Sequence, residues 1–183
     1  MADKATIHKA ELQISDLDRH YYQTHQLTLA QHPSETVDRL MVRLLCFALY
    51  ADPELNFGRG VSTDDEPDLW RTSLSGEVEL WIDLGQPDES RVRKACGRAQ
   101  QAVIVGYSGR SFAIWLEKNA AALRRCRNLT VLALEDGVAE ALGKLNQRAM
   151  RLQCLISECE LQLIAESGES LNVRPIRHQQ SSE

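Results

Sequence analysis

The chain of 183 residues is short of the features that most quickly assign a protein to a class. No apolar run approaches the length of a membrane span, the longest being strand-sized or broken by charge, so no membrane partner is expected. The opening MADKATIHKAELQIS has no apolar stretch of the length a secretory signal needs, and the expected location is the cytoplasm. The five cysteines form no CxxC pair, and no histidine lies at zinc spacing from any of them. Their odd number and their scatter through apolar periodicity read as reduced core residues. There is no P-loop, no GxGxxG and no Ser-His-Asp arrangement. Repeats, low-complexity segments and long linkers are missing too, which leaves a single domain. Long runs of one charge sign are also absent. With a formal net charge of -5, that argues against broad coating of nucleic acid while leaving room for a locally basic groove.

What the chain does have is a concentration of acids between residues 62 and 94. Asp64, Asp65, Glu66 and Asp68 come first, with Pro67 directly before Asp68. Val78, Leu80, Ile82 and Leu84 then alternate with Glu77, Glu79, Trp81 and Asp83, the period of a strand with one buried face. Carboxylates gathered at strand ends repel one another, so a fold keeps them beside a cation or open to water.

The flanking elements can be read in order. Residues 5–15 and 21–30 alternate as a hairpin, and Ser34 is placed to cap a helix that carries Glu35 and Asp38 in its first turn and runs to Ala51. Residues 55–57 form a short strand before the turn Gly58-Arg59-Gly60. Strands follow at 68–73 and 77–84, and Asp88 caps a helix over 89–98. The apolar runs at 102–107 and 129–134, with a helix between them beginning at Ser108 or Ser111, read as neighbouring buried strands joined by a right-handed crossover. A short helix over 135–145 and a second hairpin at 149–166 complete the pattern, the latter suited to pair with the first hairpin in a small second sheet. Residues 169–183 are polar and read as a loosely held tail.

From residue 34 onward the order is helix, three strands, helix, strand, with Pro67-Asp68 opening one strand and Asp83 closing the next. That order resembles the PD-(D/E)XK core of restriction-type nucleases. More closely, KATIHKA, LTLAQHPSET, DDEPDLW, ELWIDLGQPDE and RKACGRA together resemble the YaeQ family of small bacterial proteins, over nearly the whole chain. The resemblance implies an α/β fold: a mixed central sheet flanked by helices, with a restriction-endonuclease-like αβββαβ core over about 34–134 and a second sheet from the terminal hairpins. It implies Mg2+ or Mn2+ as cofactor, with Asp68 and Asp83 as metal ligands. The motif lysine falls at Gly85, so the standard motif is broken. Lys94, on the following helix, is the implied catalytic substitute. Glu35 is the implied acid from the first helix, with Asp38 the second choice and Glu66 a further acid.

Two readings of function follow. In the first, the protein is a Mg2+-dependent phosphodiesterase acting on nucleic acid. In the second, it is a catalytically inactive module of the same fold that binds nucleic acid or a protein, with Arg91, Arg93, Lys94, Arg98 and Arg110 lining a groove beside the acids. A role in transcriptional regulation, once suggested for such proteins, has no residue in its support. The bland alternatives are a solvated acidic loop at 64–66, core tryptophans at Trp70 and Trp81, and a surface lysine at Lys94.

Overall fold

The computed structural model describes residues 4–59 and 64–182. Gly60 of the expected turn and Ser62 at the start of the acidic stretch lie outside them. Among the described residues, eleven strands and four helices form a mixed α+β fold with two mixed sheets. The chain divides into two compact units, residues 1–51 with 137–174 and residues 52–136 with 175–183.

The first unit is built on hairpins. Strands β1 (Thr6–Asp16) and β2 (Tyr21–Gln31) pair antiparallel without a bulge. β8 (Ala149–Ser157) lies parallel to β1, and β9 (Glu160–Ala165) and β10 (Ser170–Val173) extend the sheet to the order β10-β9-β8-β1-β2. Alternation sets the buried face: Ala10, Leu12, Ile14, Leu152, Cys154, Leu161 and Leu163 all point into the core. The expected second sheet from the two hairpins is thus present. α1 (Val37–Leu49) and α4 (Val138–Lys144) pack on each other in the same unit.

α1 starts later than its sequence suggests. Thr36, not Ser34, is the N-cap, accepting the Arg39 N–H on its hydroxyl at 3.1 Å. Ser34 instead shares a 2.6 Å hydrogen bond with the His32 ring. Glu35 therefore precedes the helix.

The second unit carries the six-stranded sheet, in the order β11-β7-β6-β5-β4-β3. β3 (Leu55–Phe57), β4 (Leu69–Thr72) and β5 (Val78–Leu84) run antiparallel to one another. β5, β6 (Ala99–Gly106) and β7 (Leu129–Ala133) are parallel, joined by α2 (Glu89–Arg98) and α3 (Arg110–Arg124). Strand β5 departs from its one-sided pattern, because Trp81 and Asp83 are buried along with Leu80 and Ile82. The covering layer is α2 and α3: Val92, Ala95, Phe112, Trp115 and Leu123 share one cluster with Trp81, Ala102, Ile104 and Val131. Small alanines at 95 and 102 let the helices approach the sheet closely enough to enclose the indole.

The polar segment expected as a tail supplies two strands, β10 and β11 (Ile176–Gln179), one in each sheet. In β10 only Leu171 and Val173 alternate inward, and β11 carries no apolar alternation. The backbone nevertheless satisfies the open edge of β7, and the Gln179 amide donates to Leu123 O at 2.8 Å and Cys126 O at 3.1 Å. Truncation after Arg174 is expected to lower unfolding free energy by roughly 2 kcal/mol or more, given about 1 kcal/mol per hydrogen bond lost. A urea titration checks this, and an unchanged midpoint would show β11 to be incidental.

Candidate acid-arginine site

Asp68 and Asp83 come together as a cross-strand pair. Leu69 faces Ile82 in the β4–β5 register, so one step further sets Asp68 opposite Asp83. Asp68 lies immediately before β4 and is 7% exposed, while Asp83 near the end of β5 is 4% exposed. Asp68 is fixed by the β5 backbone, its Oδ2 accepting the Leu84 N–H at 2.8 Å. Two buried carboxylates on facing positions cannot both stay ionised without a nearby cation.

Arg91 is that cation. Its guanidinium grips Asp83 with a two-pronged pair, Nε to Oδ2 at 2.9 Å and Nη2 to Oδ1 at 3.1 Å. The same group donates to Glu66 O at 2.8 Å and to Asp64 O, so it also pins the loop that leads into Asp68. Its carbon lies 5.2 Å from the centre of the Trp81 ring. The hydrogen bond to Asp83, followed by the fields of Asp83, Asp68 and Asp64, raises the Arg91 pKa further above its ordinary value against the opposing effect of burial.

Local chemistry of the chain puts Arg91 there. Asp88 caps α2, its Oδ1 accepting the Arg91 N–H at 2.8 Å and the Ser90 hydroxyl at 2.7 Å. Those bonds, the hydroxyl first, hold the Asp88 carboxyl below the usual range. Gln86 bridges to the Ser108 and Ser111 hydroxyls, and the Trp115 indole donates to Pro87 O at 2.8 Å, which fixes the β5–α2 connection against α3. The first turn of α2 is thereby aimed back at the end of β5. Lys94 and Arg98 continue the same stripe one and two turns on.

Lys94 bonds the acidic loop rather than the acid pair, reaching Asp64 O at 3.0 Å and the Asp65 carboxylate at 2.8 Å. That contact lowers the Asp65 pKa, with Arg98 and Arg91 adding to it. Arg98 donates to Asp65 O at 3.1 Å and lies 5.3 Å from the Trp81 ring centre. Glu66 turns to the Arg59 N–H at 2.9 Å.

Glu35 lies in the other unit, where Arg43 takes its Oε1 at 2.7 Å and its Oε2 at 3.0 Å, and Arg39 shares Oε2 at 2.8 Å. Asp38 sits on α1 against Gly143 of α4, where a β-carbon would come within 1.9 Å of its carboxylate oxygen. Among the described residues no group of three His, Cys, Asp or Glu side chains is placed to hold a metal.

Gly85 stands where the nuclease resemblance would require a lysine. Its φ of +88° lies in the left-handed region, and its N–H bonds Val105 O at 2.9 Å to end the strand. A lysine here would carry a strain of about 1–2 kcal/mol. Arg91 was read from the sequence only as a groove residue. The signal that singles it out is its place three residues beyond the Asp88 cap, one turn into a helix entered directly from the acid-bearing strand.

As it stands, the site does not fit a divalent ion on both acids. Both oxygens of Asp83 are held by the guanidinium, and one oxygen of Asp68 is held by the Leu84 amide.

The chain resembles known proteins over most of its length. A family model described as "YaeQ protein" matches residues 1–175. A Salmonella typhi protein described as "Uncharacterized protein YaeQ" is 40% identical over 182 residues, covering 100% of both chains. Its Escherichia coli K12 counterpart is 42% identical over 158 residues, 86% of this chain and 87% of that one. The crystal structure of a YaeQ protein from Xanthomonas axonopodis pv. citri superposes with a TM-score of 0.93 at 57% identity, over 96% of this chain and 99% of that one. Another from Pseudomonas syringae gives 0.90 at 34% identity, over 96% of each.

Removing one partner of the arginine–acid pair should cost far more than removing both. Arg91→Ala is expected to lower unfolding free energy by about 3 kcal/mol, because it leaves Asp83 charged and buried. The double variant Arg91→Met, Asp83→Leu should recover most of that loss. Urea titrations of the single and the double variant check both. Equal losses in the single and double variants would contradict the pairing.

Proposed function

This chain belongs to the YaeQ family, and from that premise we propose that it is a non-catalytic binding module whose acid pair is structural and whose partner is a protein. The observation that carries the reading is the Arg91 guanidinium on both oxygens of Asp83, one of the two acids that would have to hold a metal ion. Two further features agree with it. Lysine cannot enter at Gly85 without strain, and Lys94 is engaged with Asp64 and Asp65. The partner class follows from charge. Arg91, Lys94 and Arg98 are bonded to the 64–66 loop, which leaves Arg93 and Arg110 of the candidate groove to meet phosphates on a chain of net charge -5.

A second reading, Mg2+-dependent phosphodiester hydrolysis, has one observation in its favour. Asp68 and Asp83 are buried side by side at the ends of neighbouring strands, and carboxylates so placed are common in catalytic sites. It requires Arg91 to leave Asp83 before an ion can enter.

Cleavage assays with single- and double-stranded DNA and RNA in Mg2+ or Mn2+ separate the two. The expected result is no cleavage above that of Asp83→Asn for either wild type or Arg91→Ala. Metal-dependent cleavage by the wild type that Asp83→Asn abolishes would reverse the order of the readings.

A further inference from the structure

Four strands end the two sheets, and three of them are guarded by their length. β3 has three residues, and β10 and β11 have four each. The fourth, β2, has eleven, pairs with β1 along its whole length without a bulge, and has no strand on its other side. Its sequence, YYQTHQLTLAQ, contains no Lys, Arg, Asp, Glu, Pro or Gly. Folds suppress pairing at exposed edges with short strands, charges, prolines or bulges, and β2 uses none of these.

The ladder fixes which backbone groups face outward. The Lys9 N–H donates to Arg148 O at 2.8 Å on the β8 side, so the odd-numbered residues of β1 point away from β2. The even-numbered residues of β1 face β2, where the register from Thr6 opposite Gln31 to Asp16 opposite Tyr21 sets them against odd-numbered residues. The even-numbered residues of β2 therefore turn outward. Ala30 agrees, giving its carbonyl to Arg43 Nη2 at 3.0 Å. Tyr22, Thr24, Gln26 and Thr28 each present an N–H and a C=O on that side. Among the described residues none of these backbone groups has a hydrogen-bond partner. All four residues are exposed, Tyr22 at 58%.

We propose that β2 is a self-association edge, on which a second copy of this chain pairs its own β2 antiparallel across a two-fold axis. The two five-stranded sheets become one continuous sheet. The occupant follows from the chemistry of the strand itself. Two copies of net charge -5 repel one another, and they approach most easily along a seam without charges, which β2 supplies. With Ala30 O already taken, pairing all four free positions puts the axis at His25. Tyr22 then faces the partner's Thr28, and Thr24 faces the partner's Gln26. Tyrosine against threonine is an aromatic–β-branched pair of the kind that stabilises sheets, and no position sets like charges opposite each other. The His25 ring is turned to its own chain, held by the Tyr21 hydroxyl at 2.7 Å and edge-on to Phe47.

Such a pairing is isologous, so it uses up the free edge of both copies at once. The opposite edge of the sheet, β10, is too short to carry the ladder further, and the assembly stops at two. The seam belongs to the unit that lacks the acid pair, so it stands whichever reading of that pair holds.

Sedimentation velocity of the full-length protein over a range of concentrations tests this. The expected result is a concentration-dependent dimer of twice the 20.6 kDa chain mass. Amide exchange at Thr24 and Gln26 should slow as the dimer forms, while Gln23 and His25, already bonded to β1, should change little. Gln26→Pro removes an outward N–H that the β1 ladder does not use, so it should fold and remain monomeric. The double variant Thr24→Lys, Gln26→Lys changes only exposed side chains and sets like charges opposite each other across the seam. It should weaken the dimer roughly tenfold or more. Circular dichroism and urea midpoints check that both variants keep the fold, and the lysine variant decides if the proline variant does not. A wild type that stays monomeric at every concentration would overturn the proposal and leave β2 to a strand of another protein. A dimer whose affinity the lysine variant leaves unchanged would overturn it as well.

Discussion

The second unit depends on one interaction, the guanidinium of Arg91 on the carboxylate of Asp83. Removing two carboxylates from water at the ends of adjacent strands is unfavourable by several kcal/mol each unless a charge answers them. Arg91 answers Asp83 directly, and its remaining donors take the carbonyls of Asp64 and Glu66. One side chain thereby ties the end of β5, the start of α2 and the loop into β4. Trp81 beneath it supplies an aromatic face that Arg98 shares, worth about 0.5–2 kcal/mol for each cation so placed.

That arrangement changes the meaning of the acidic stretch. Read along the chain, its carboxylates require either a cation or water. In the fold Arg59 meets Glu66 and Arg71 meets Glu79, and one face of one helix brings Arg91, Lys94 and Arg98 to the rest. The acids of the loop face solvent and meet Lys94 and Arg98 mainly at the surface, where such pairs add little. Asp83 is different, because its pair is shielded and its loss leaves an unanswered charge. The pair fixes geometry as well as contributing energy, since a bidentate fork admits one orientation.

Much of this was legible in the sequence, for physical reasons that also mark where legibility ended. The β1–β2 and β8–β9 hairpins announced themselves by alternation, and their partnership follows because neither buries its apolar face alone. The α2 boundaries followed from Asp88 as cap and Pro87 before it. The α1 start was misplaced because Ser34 and Thr36 are both good caps, and only the His32–Ser34 contact decides between them. The strand β11 left no trace because its support is backbone and edge pairing rather than apolar pattern, and in β10 the two alternating apolar residues Leu171 and Val173 are too short a signal among polar neighbours. Trp81 and Asp83 read as the open side of β5 because alternation cannot foresee that α2 and α3 cover that side. For the site, the two acids and the absent lysine were visible as residue types. The partner of Asp83 was not, since it depends on the direction in which α2 leaves the sheet.

The most direct test is an anomalous-difference map from crystals of the wild-type protein soaked in Mn2+. The account predicts no peak between Asp68 and Asp83, with Arg91 density continuous against both oxygens of Asp83. A manganese peak bridging the two carboxylates, with the guanidinium displaced from Asp83, would contradict it.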